Sequence, residues 1–350
     1  MAERVNRGRM EVSEVAMTIR DIAREAGVST ATVSRALRGL PNVDPTTRHH
    51  VKSVADRMNY VISPTASRLA TGRTRAIAVI TPFVSRWYFA TVLSGAERVF
   101  HEADFDLLLF GTGEPSEPHR VPSHRRLRHK ADGFLVLNLD PEGEDVAGLF
   151  DLDLPIVLVG VTSPKAVGTM VDDVAGARTA TEHLIDLGHR DIGIISGRQL
   201  PSPFTPDLDR YDGFLQALTA AGIGANPDFT TYGSFTMAGG EEAMERLLRL
   251  PNRPTAVFAI SDEMAFGAIR ALRRNGLTPG REISLVGYDG HELAELMNLT
   301  TVIQPVEQLG VRGAELMLER LRDPSLPVRE TIYPIELAVR SSTGPLTGGS

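Results

Sequence analysis

Apolar residues in the first part of the chain recur with the period of an α-helix. In TIRDIAREAG, Ile19, Ile22, Ala23 and Ala26 fall at i, i+3, i+4 and i+7 and mark one inward stripe. Thr18 stands at the N-cap, Asp21 near the positive end of the helix dipole, and Gly27 where a helix exit needs a left-handed residue. Ser29 then caps a second helix over 30–38 with Val33, Ala36 and Leu37 inward, which leaves Thr30, Ala31, Thr32, Ser34, Arg35 and Arg38 outward. Asp44 caps a third helix that opens on Pro45 and turns Val51, Val54, Ala55 and Met58 inward. Three such helices make a headpiece of about 45 residues, marginal alone by size.

From Arg75 the pattern changes. Continuous apolar runs predict strands at 76–82, 105–110, 132–138, 155–160, 168–173, 192–197, 255–260 and 283–288, with 300–304 leading into the last helix. Helical stretches fall between them at 90–103, 174–187, 209–221, 262–275 and 306–322, with another after Phe235. Pro115, Pro118 and Pro122 delay the helix expected after Gly111 to about 123–130. Strands separated by helices predict parallel sheets with both faces covered. The fold class is therefore α/β with an all-α N-terminal headpiece, and two doubly wound parallel-sheet lobes enclose a cleft.

Charge sharpens the division. The net charge is −7 over 350 residues, yet residues 1–75 hold 13 Lys and Arg against 7 Asp and Glu. A basic module on an acidic body fits nucleic-acid binding by one end. The basic run from His124 to Lys130 reads either as a second nucleic-acid patch or as a solvated helix face. Residues 1–16 show no period; they are either a mobile extension upstream of a start at Met17 or a basic arm on DNA through Arg4, Arg7 and Arg9. There is no cysteine, and neither an apolar run of ~20 residues nor a secretory apolar core is present. These features agree with a cytoplasmic, nucleoid-associated protein. No HExxH, P-loop, GxSxG or Cys–His pair occurs, so no enzyme, cofactor or metal is expected.

The phrase DIAREAGVSTATVSRAL resembles, nearly position for position, the N-terminal signature of the lactose-repressor/galactose-repressor family of bacterial transcription regulators. The resemblance covers about residues 18–342. It implies a helix-turn-helix head, a periplasmic-binding-protein-like core and a homodimer on a near-palindromic operator in double-stranded DNA. The expected organisation is a mobile N-terminal extension at 1–17, a headpiece at 18–62, a hinge helix and linker at 63–74, a core at 75–342 and a tail at 343–350. The core would comprise one lobe of about 75–173 plus 305–334 and another of about 174–303 plus 335–342. On the headpiece, Arg35 would read a guanine edge, Thr30 and Ala31 would set sequence preference, and Ser29, Thr32, Ser34 and Arg38 would hold phosphates. Leu69 matches the leucine that the family's hinge helix pushes into the minor groove; otherwise it packs on the body. Ile62 departs from the usual proline, so the hinge start shifts by a residue or two. Thr18, Tyr60 and Ala66 complete the expected DNA-facing set.

In open α/β sheets ligands sit beyond the carboxyl ends of the strands. The residues there include Phe83 to Phe89, Asn138, Asp140, Gly160, Asp172, Asp173, Ser196, Ser261, Asp262, Tyr288 and Asp289, with Arg210 at an exposed helix start and Phe235 before another helix. Aromatics, carboxylates and an arginine suit a sugar-like ring. RYDGF, GSF, ISDEMAFGA and VGYDG are similar to family segments, so Arg210, Phe235, Asp262 and Asp289 match its effector-binding positions. Phe83, Trp87 and Phe89 complete the expected effector set. Asp262 also suits a helix cap, and Trp87 and Phe89 also suit a core. Ser261 stands where asparagine is frequent and Gly160 where some sugar-responsive members carry aspartate, so the effector makes fewer polar contacts than a simple sugar or is larger. The function implied is a repressor whose operator affinity is set by a carbohydrate effector. The rival is a sugar-binding receptor for transport. The tail lacks leucine heptads, which points to a dimer rather than a tetramer.

Overall fold

The computed structural model describes residues 17–60, 73–112, 124–198 and 205–346. The N-terminal arm and the hinge positions Ala66 and Leu69 lie outside the described residues. The chain divides into two compact units, one ending at Thr74 and one beginning at Arg75.

In the first unit, α1 (Ile19–Glu25), α2 (Thr30–Leu37) and α3 (Pro45–Arg57) close around fully buried Ile22, Val33, Ala36, Val51 and Val54. Asp21 receives both the backbone N–H and the hydroxyl of Thr18, at 3.0 and 2.7 Å. Gly27, at φ 65°, makes the turn between the first two helices. Ser29 accepts from the Thr32 N–H at 3.1 Å, and Asp44 accepts from Thr46 and Thr47 at the start of α3. An Arg57–Glu25 ion pair at 3.2 Å joins α3 to α1.

The second unit holds two six-stranded sheets. The first comprises β1 (Ala76–Thr81), β2 (Asp106–Gly111), β3 (Gly133–Leu137), β4 (Ile156–Val159), β5 (Val167–Val171) and β11 (Glu330–Tyr333), in the order β11-β5-β4-β3-β1-β2 and parallel throughout. The second comprises β6 (Ile192–Ser196), β7 (Thr230–Tyr232), β8 (Ala256–Ala259), β9 (Ser284–Asp289), β10 (Thr300–Ile303) and β12 (Glu336–Ala338), in the order β12-β10-β9-β8-β6-β7. Only β12 runs antiparallel to its neighbour. Each sheet therefore reverses its winding beside its first strand, between β1 and β3 and between β6 and β8. The chain passes between the sheets before α7 (Asp173–Asp186), between β10 and α12 (Val306–Arg322), and between β11 and β12.

Helices cover both sheets: α4 (Trp87–Glu102), α5 (His124–Leu127), α6 (Glu144–Ala147) and α12 pack with the first, and α7, α8 (Thr205–Ala220), α9 (Met237–Leu248), α10 (Asp262–Arg274) and α11 (Leu293–Leu296) with the second. Several expectations are corrected. α4 begins at Trp87 rather than at 90, with three aromatics opening it and Arg86 capping it with no side-chain bond. α8 is already helical at Thr205, the first described residue there, rather than from 209. Of the helix expected at 123–130, the described part is the turn His124–Leu127; Leu127 is buried and the chain then turns back, with Lys130 N–H on its carbonyl at 2.8 Å. The short strands β7, β11 and β12 carry too few residues to show a period. Tail residues are tied to the second sheet, with Leu346 N–H on the Leu187 carbonyl at 2.9 Å and the Gly344 carbonyl accepting from Ser284 at 3.1 Å.

Gly95 on α4 and Gly310 on α12 let these helices approach backbone to backbone; a Cβ on Gly310 would strike the Val92 carbonyl. Gly310→Ala is expected to lower stability by about 1–3 kcal/mol through overpacking, read as a lower urea midpoint at unchanged slope.

Candidate effector cleft and DNA-facing helix

The two points where the winding reverses put Phe83 and Asn138, then Ser261, at neighbouring strand ends. A cavity lies there, lined on one side by Phe83, Arg86, Tyr88, Phe89 and Asn138 and on the other by Arg210, Phe235, Ser261, Glu263 and Asp289. It encloses only about 30 Å³. Ligand pockets usually run to roughly 300–1,000 Å³, so a ring enters only if the two lobes part.

Arg210 organises the polar wall. It is 4 % exposed and lies inside α8, not at an exposed helix start, because the chain is already helical at Thr205. Its Nε donates to Asp173 at 2.8 Å, and its guanidinium donates to the Ile260 carbonyl at 2.6 Å and to Asp289 at 3.3 Å. The guanidinium also stacks on the Tyr288 ring at 3.8 Å. Gln304 donates to Asp289 at 2.9 Å. Burial pushes the Asp289 carboxyl up to about 7, against the pull of Arg210 and Gln304. Asp172 and Asp173 diverge: Asp172 caps α7 through the Ala175 N–H at 2.9 Å, and Asp173 turns inward to Arg210.

Backbone strain concentrates here. Asn138, Phe235 and Asp289 all have positive φ, at 50°, 54° and 128°. Such conformations cost free energy and persist where surrounding contacts enforce them. Phe235 lies against Gly197, where any Cβ would collide with its ring. Asn138 similarly fills the space above Gly160, and its Oδ1 is buried with no hydrogen-bond partner among the described residues. Asp207 holds the loop that begins this wall, accepting from the Ser196 hydroxyl at 2.8 Å and from the Gly197 and Arg198 N–H groups at 2.9 Å.

Of the expected effector residues, Phe83, Phe89, Arg210, Phe235 and Asp289 line the cavity, and Trp87 and Asp262 do not. Trp87 stacks on His291 of the other lobe at 4.6 Å, and Phe266 meets the same imidazole edge-on at 5.2 Å. His291 Nδ1 accepts from the Leu293 N–H at 3.0 Å, and burial lowers the ring's basicity. Asp262 is fully buried and braces three elements, accepting from Thr301 Oγ1 at 2.6 Å and from the His291 N–H at 2.8 Å. Burial drives its carboxyl well above the usual range. Ser261, not Asp262, caps α10, through the Met264 N–H at 3.3 Å. Arg86 and Tyr88 fell within the stretch Phe83 to Phe89 expected beyond the strand ends but were not singled out as effector residues, and Glu263 was missed altogether.

On the headpiece, α2 exposes Thr30, Ala31 and Arg35, with Thr32, Ser34 and Arg38 half-buried beside them. Ser29 and Thr32 also share a hydroxyl hydrogen bond at 2.9 Å, which fixes both at the start of the helix. Tyr60 packs on the headpiece core, and its N–H closes α3 on the Ala55 carbonyl at 2.9 Å.

The raised Asp289 carboxyl has a measurable sign. Its favourable contribution to folding is fully present below its ordinary value of 3.8 and is lost as the pH rises through about 7. Between about pH 4 and 7 it lowers the unfolding free energy by at most ~1.4 kcal/mol per pH unit. Asp289→Asn is expected to flatten that part of the stability profile in denaturant titrations; an unaltered slope would contradict the assignment.

Comparison with known proteins accords with both halves of this geometry. Residues 18–63 match the family described as bacterial regulatory proteins, lacI family, and residues 181–343 match a periplasmic binding protein-like domain. The chain is 32% identical over 335 residues to the HTH-type transcriptional repressor PurR of Vibrio campbellii, covering 94% of this chain and 99% of that one. It is 30% identical to the transcriptional regulator CelR solved as a cellobiose complex, covering 93% of this chain and 99% of that chain with a TM-score of 0.66. At 23% identity and a TM-score of 0.79 it shares the fold of the lac repressor dimer solved with operator, over 94% of this chain and 99% of that one. With a helix-turn-helix head and a two-lobed binding core in one polypeptide, the chain belongs to the lacI family of bacterial regulatory proteins and is a transcriptional regulator.

Proposed function

We propose that the protein is a repressor that binds a near-palindromic operator as a homodimer and releases it when a carbohydrate-like effector enters the core cleft. The observation that carries this reading is the cavity at the meeting of both winding reversals, with aromatic walls, a buried unpartnered Asn138 acceptor and the Asp289 carboxyl. Phe83, Phe89 and Phe235 offer faces for the C–H groups of a ring. Asn138 and Asp289 accept its hydroxyl hydrogens, and Arg210 holds Asp289 in place. Trp87 and Asp262 act from behind these residues. On DNA, Arg35 reads a guanine edge bidentately, Thr30 and Ala31 set preference, and Ser29, Thr32, Ser34 and Arg38 fix register on phosphates. Thr18 and Tyr60 extend that contact, and in the hinge, outside the described residues, Leu69 and Ala66 meet the minor groove.

A change in the angle between the lobes is the coupling step. Effector binding changes the angle between the lobes, moves the two hinge segments apart and weakens the operator complex. Operator then weakens effector binding by the same factor. The protein works in the cytoplasm on the nucleoid, and its cleft binds without catalysing a reaction. Selection of bound duplexes from a random library, with and without a panel of sugars, tests the whole scheme; no sequence preference under any condition would end it. Arg35→Ala is expected to cost ~1–3 kcal/mol at one base pair and to relax the preference there.

The homodimer has a surface to match. Met237, Phe266, Leu293 and Met297, together with Arg270, Arg273 and Arg274, line a largely apolar groove of about 530 Å³ on the second lobe. Leu296 beside it is 75% exposed. Contiguous exposed apolar surface of this kind marks an interface, and a second copy of the chain is the occupant we assign. Leu296→Glu is expected to shift sedimentation from dimer toward monomer.

A further inference from the structure

The basic run after Pro122 has no part in the cleft. The core from residue 76 onward carries 24 Lys and Arg against 37 Asp and Glu, so a basic strip on it runs against the local charge. Arg126, Arg128 and Lys130 are exposed, while Leu127 between them is fully buried and anchors the turn. None of the three basic side chains has an acidic partner among the described residues.

Their position is what gives them meaning. The segment ends at Asp132, whose carboxylate accepts the Arg75 N–H at 3.0 Å and whose own N–H donates to the Ala76 carbonyl at 2.8 Å. Arg75 is where the chain enters the core, so the basic strip borders the attachment point of the linker. Asp132 is buried and accepts from the Arg75 N–H, and Asp104 pairs with the Arg75 guanidinium at 3.1 Å. Asp106 is exposed, but it lies on β2, across β1 from the strip on the β3 side. A duplex gripped by the headpiece is tethered to this edge by residues 61–72, at most about 3.5 Å of chain for each residue.

We propose that Arg126, Arg128 and Lys130 form a second, sequence-independent DNA contact, made by the core to phosphates that flank the operator. This rests on the reading of the chain as a DNA-binding regulator. Contacts from arginine and lysine to phosphates add affinity without adding sequence preference. Double-stranded DNA is favoured over other polyanions because the same polypeptide holds a duplex at the other end of the short linker.

The test compares the parent with the triple variant Arg126→Gln, Arg128→Gln, Lys130→Gln, on a duplex trimmed to the selected operator and on one with long flanks. On the long duplex the slope of log affinity against log salt is expected to shrink by about 0.9 for each phosphate that is no longer neutralised. The trimmed duplex should show no change, and the ratio of specific to random-sequence binding should hold on both. The charge-keeping variant Arg126→Lys, Arg128→Lys, Lys130→Arg should restore the parental slope. An unchanged slope on long flanks, or an equal drop on both duplexes, would overturn the inference; so would a charge-keeping variant as weak as the glutamine one. A parent with no preference for any duplex would instead defeat the regulator reading itself.

Discussion

Everything in the core leans on one buried guanidinium. Arg210 sits between Asp173 and Asp289, stacked on Tyr288 and donating to the Ile260 carbonyl. Removing one member of such a group leaves an uncompensated buried charge, which costs far more than the pair gains over an apolar substitute. The placement matters as much as the energy. Asp173 opens α7 just after the chain leaves the first lobe, and Gln304, which holds Asp289, stands just before it returns. The atoms that face the cavity are thus bonded to two of the crossings between lobes. On the function proposed above, a ligand that alters the charge or hydrogen bonding of Asp289 would act directly on these crossings.

The cleft is held shut by small contacts of different kinds. Trp87 of one lobe stacks on His291 of the other, and Arg86 and Glu263 oppose each other nearby, the arginine partly offsetting the rise that burial imposes on the glutamate. A cavity of about 30 Å³ is what remains. Strained backbone at Asn138, Phe235 and Asp289 is kept where the pocket needs fixed side chains. Gly160 and Gly197 give up their side chains so that Asn138 and Phe235 fit. Closed and open arrangements therefore exchange one set of weak contacts for hydration or for ligand, which is how a small molecule shifts such an equilibrium.

Periodicity made the headpiece legible because its helices are short, capped by Ser29 and Asp44, and ended at Gly27 by a residue with no alternative role. The central strands were equally plain, since strands buried on both faces read as continuous apolar runs. Edge strands such as β7 and β12 have no such run. The start of α4 was hidden because Arg86 before it is not a familiar cap, and α8 is already helical at Thr205 rather than from 209. The later start read for α8 made Arg210 look exposed and ligand-facing when most of its donors are spent within the protein. Asp262 misled for a related reason. A carboxylate after a strand suits both ligand and scaffold, and only the positions of Thr301 and His291 reveal that this one is scaffold. Glu263 joins the site through the facing of the lobes, which no local pattern encodes.

Charge distribution connects these levels. An acidic core repels a phosphate backbone over roughly a Debye length, about 8–10 Å at ordinary salt. A basic head offsets this at the operator, but the edge of the core where the linker attaches would still face DNA with its own sign. Arg126, Arg128 and Lys130 reverse that sign locally, at the strand ends bonded to Arg75. A core that is neutral or attractive toward DNA at its entry edge lets the lobes move without being pushed away from the operator. On the proposals made above, selectivity would stay with α2 and control with the cleft, while the electrostatic cost of bringing an acidic body near DNA would be met beside Arg75.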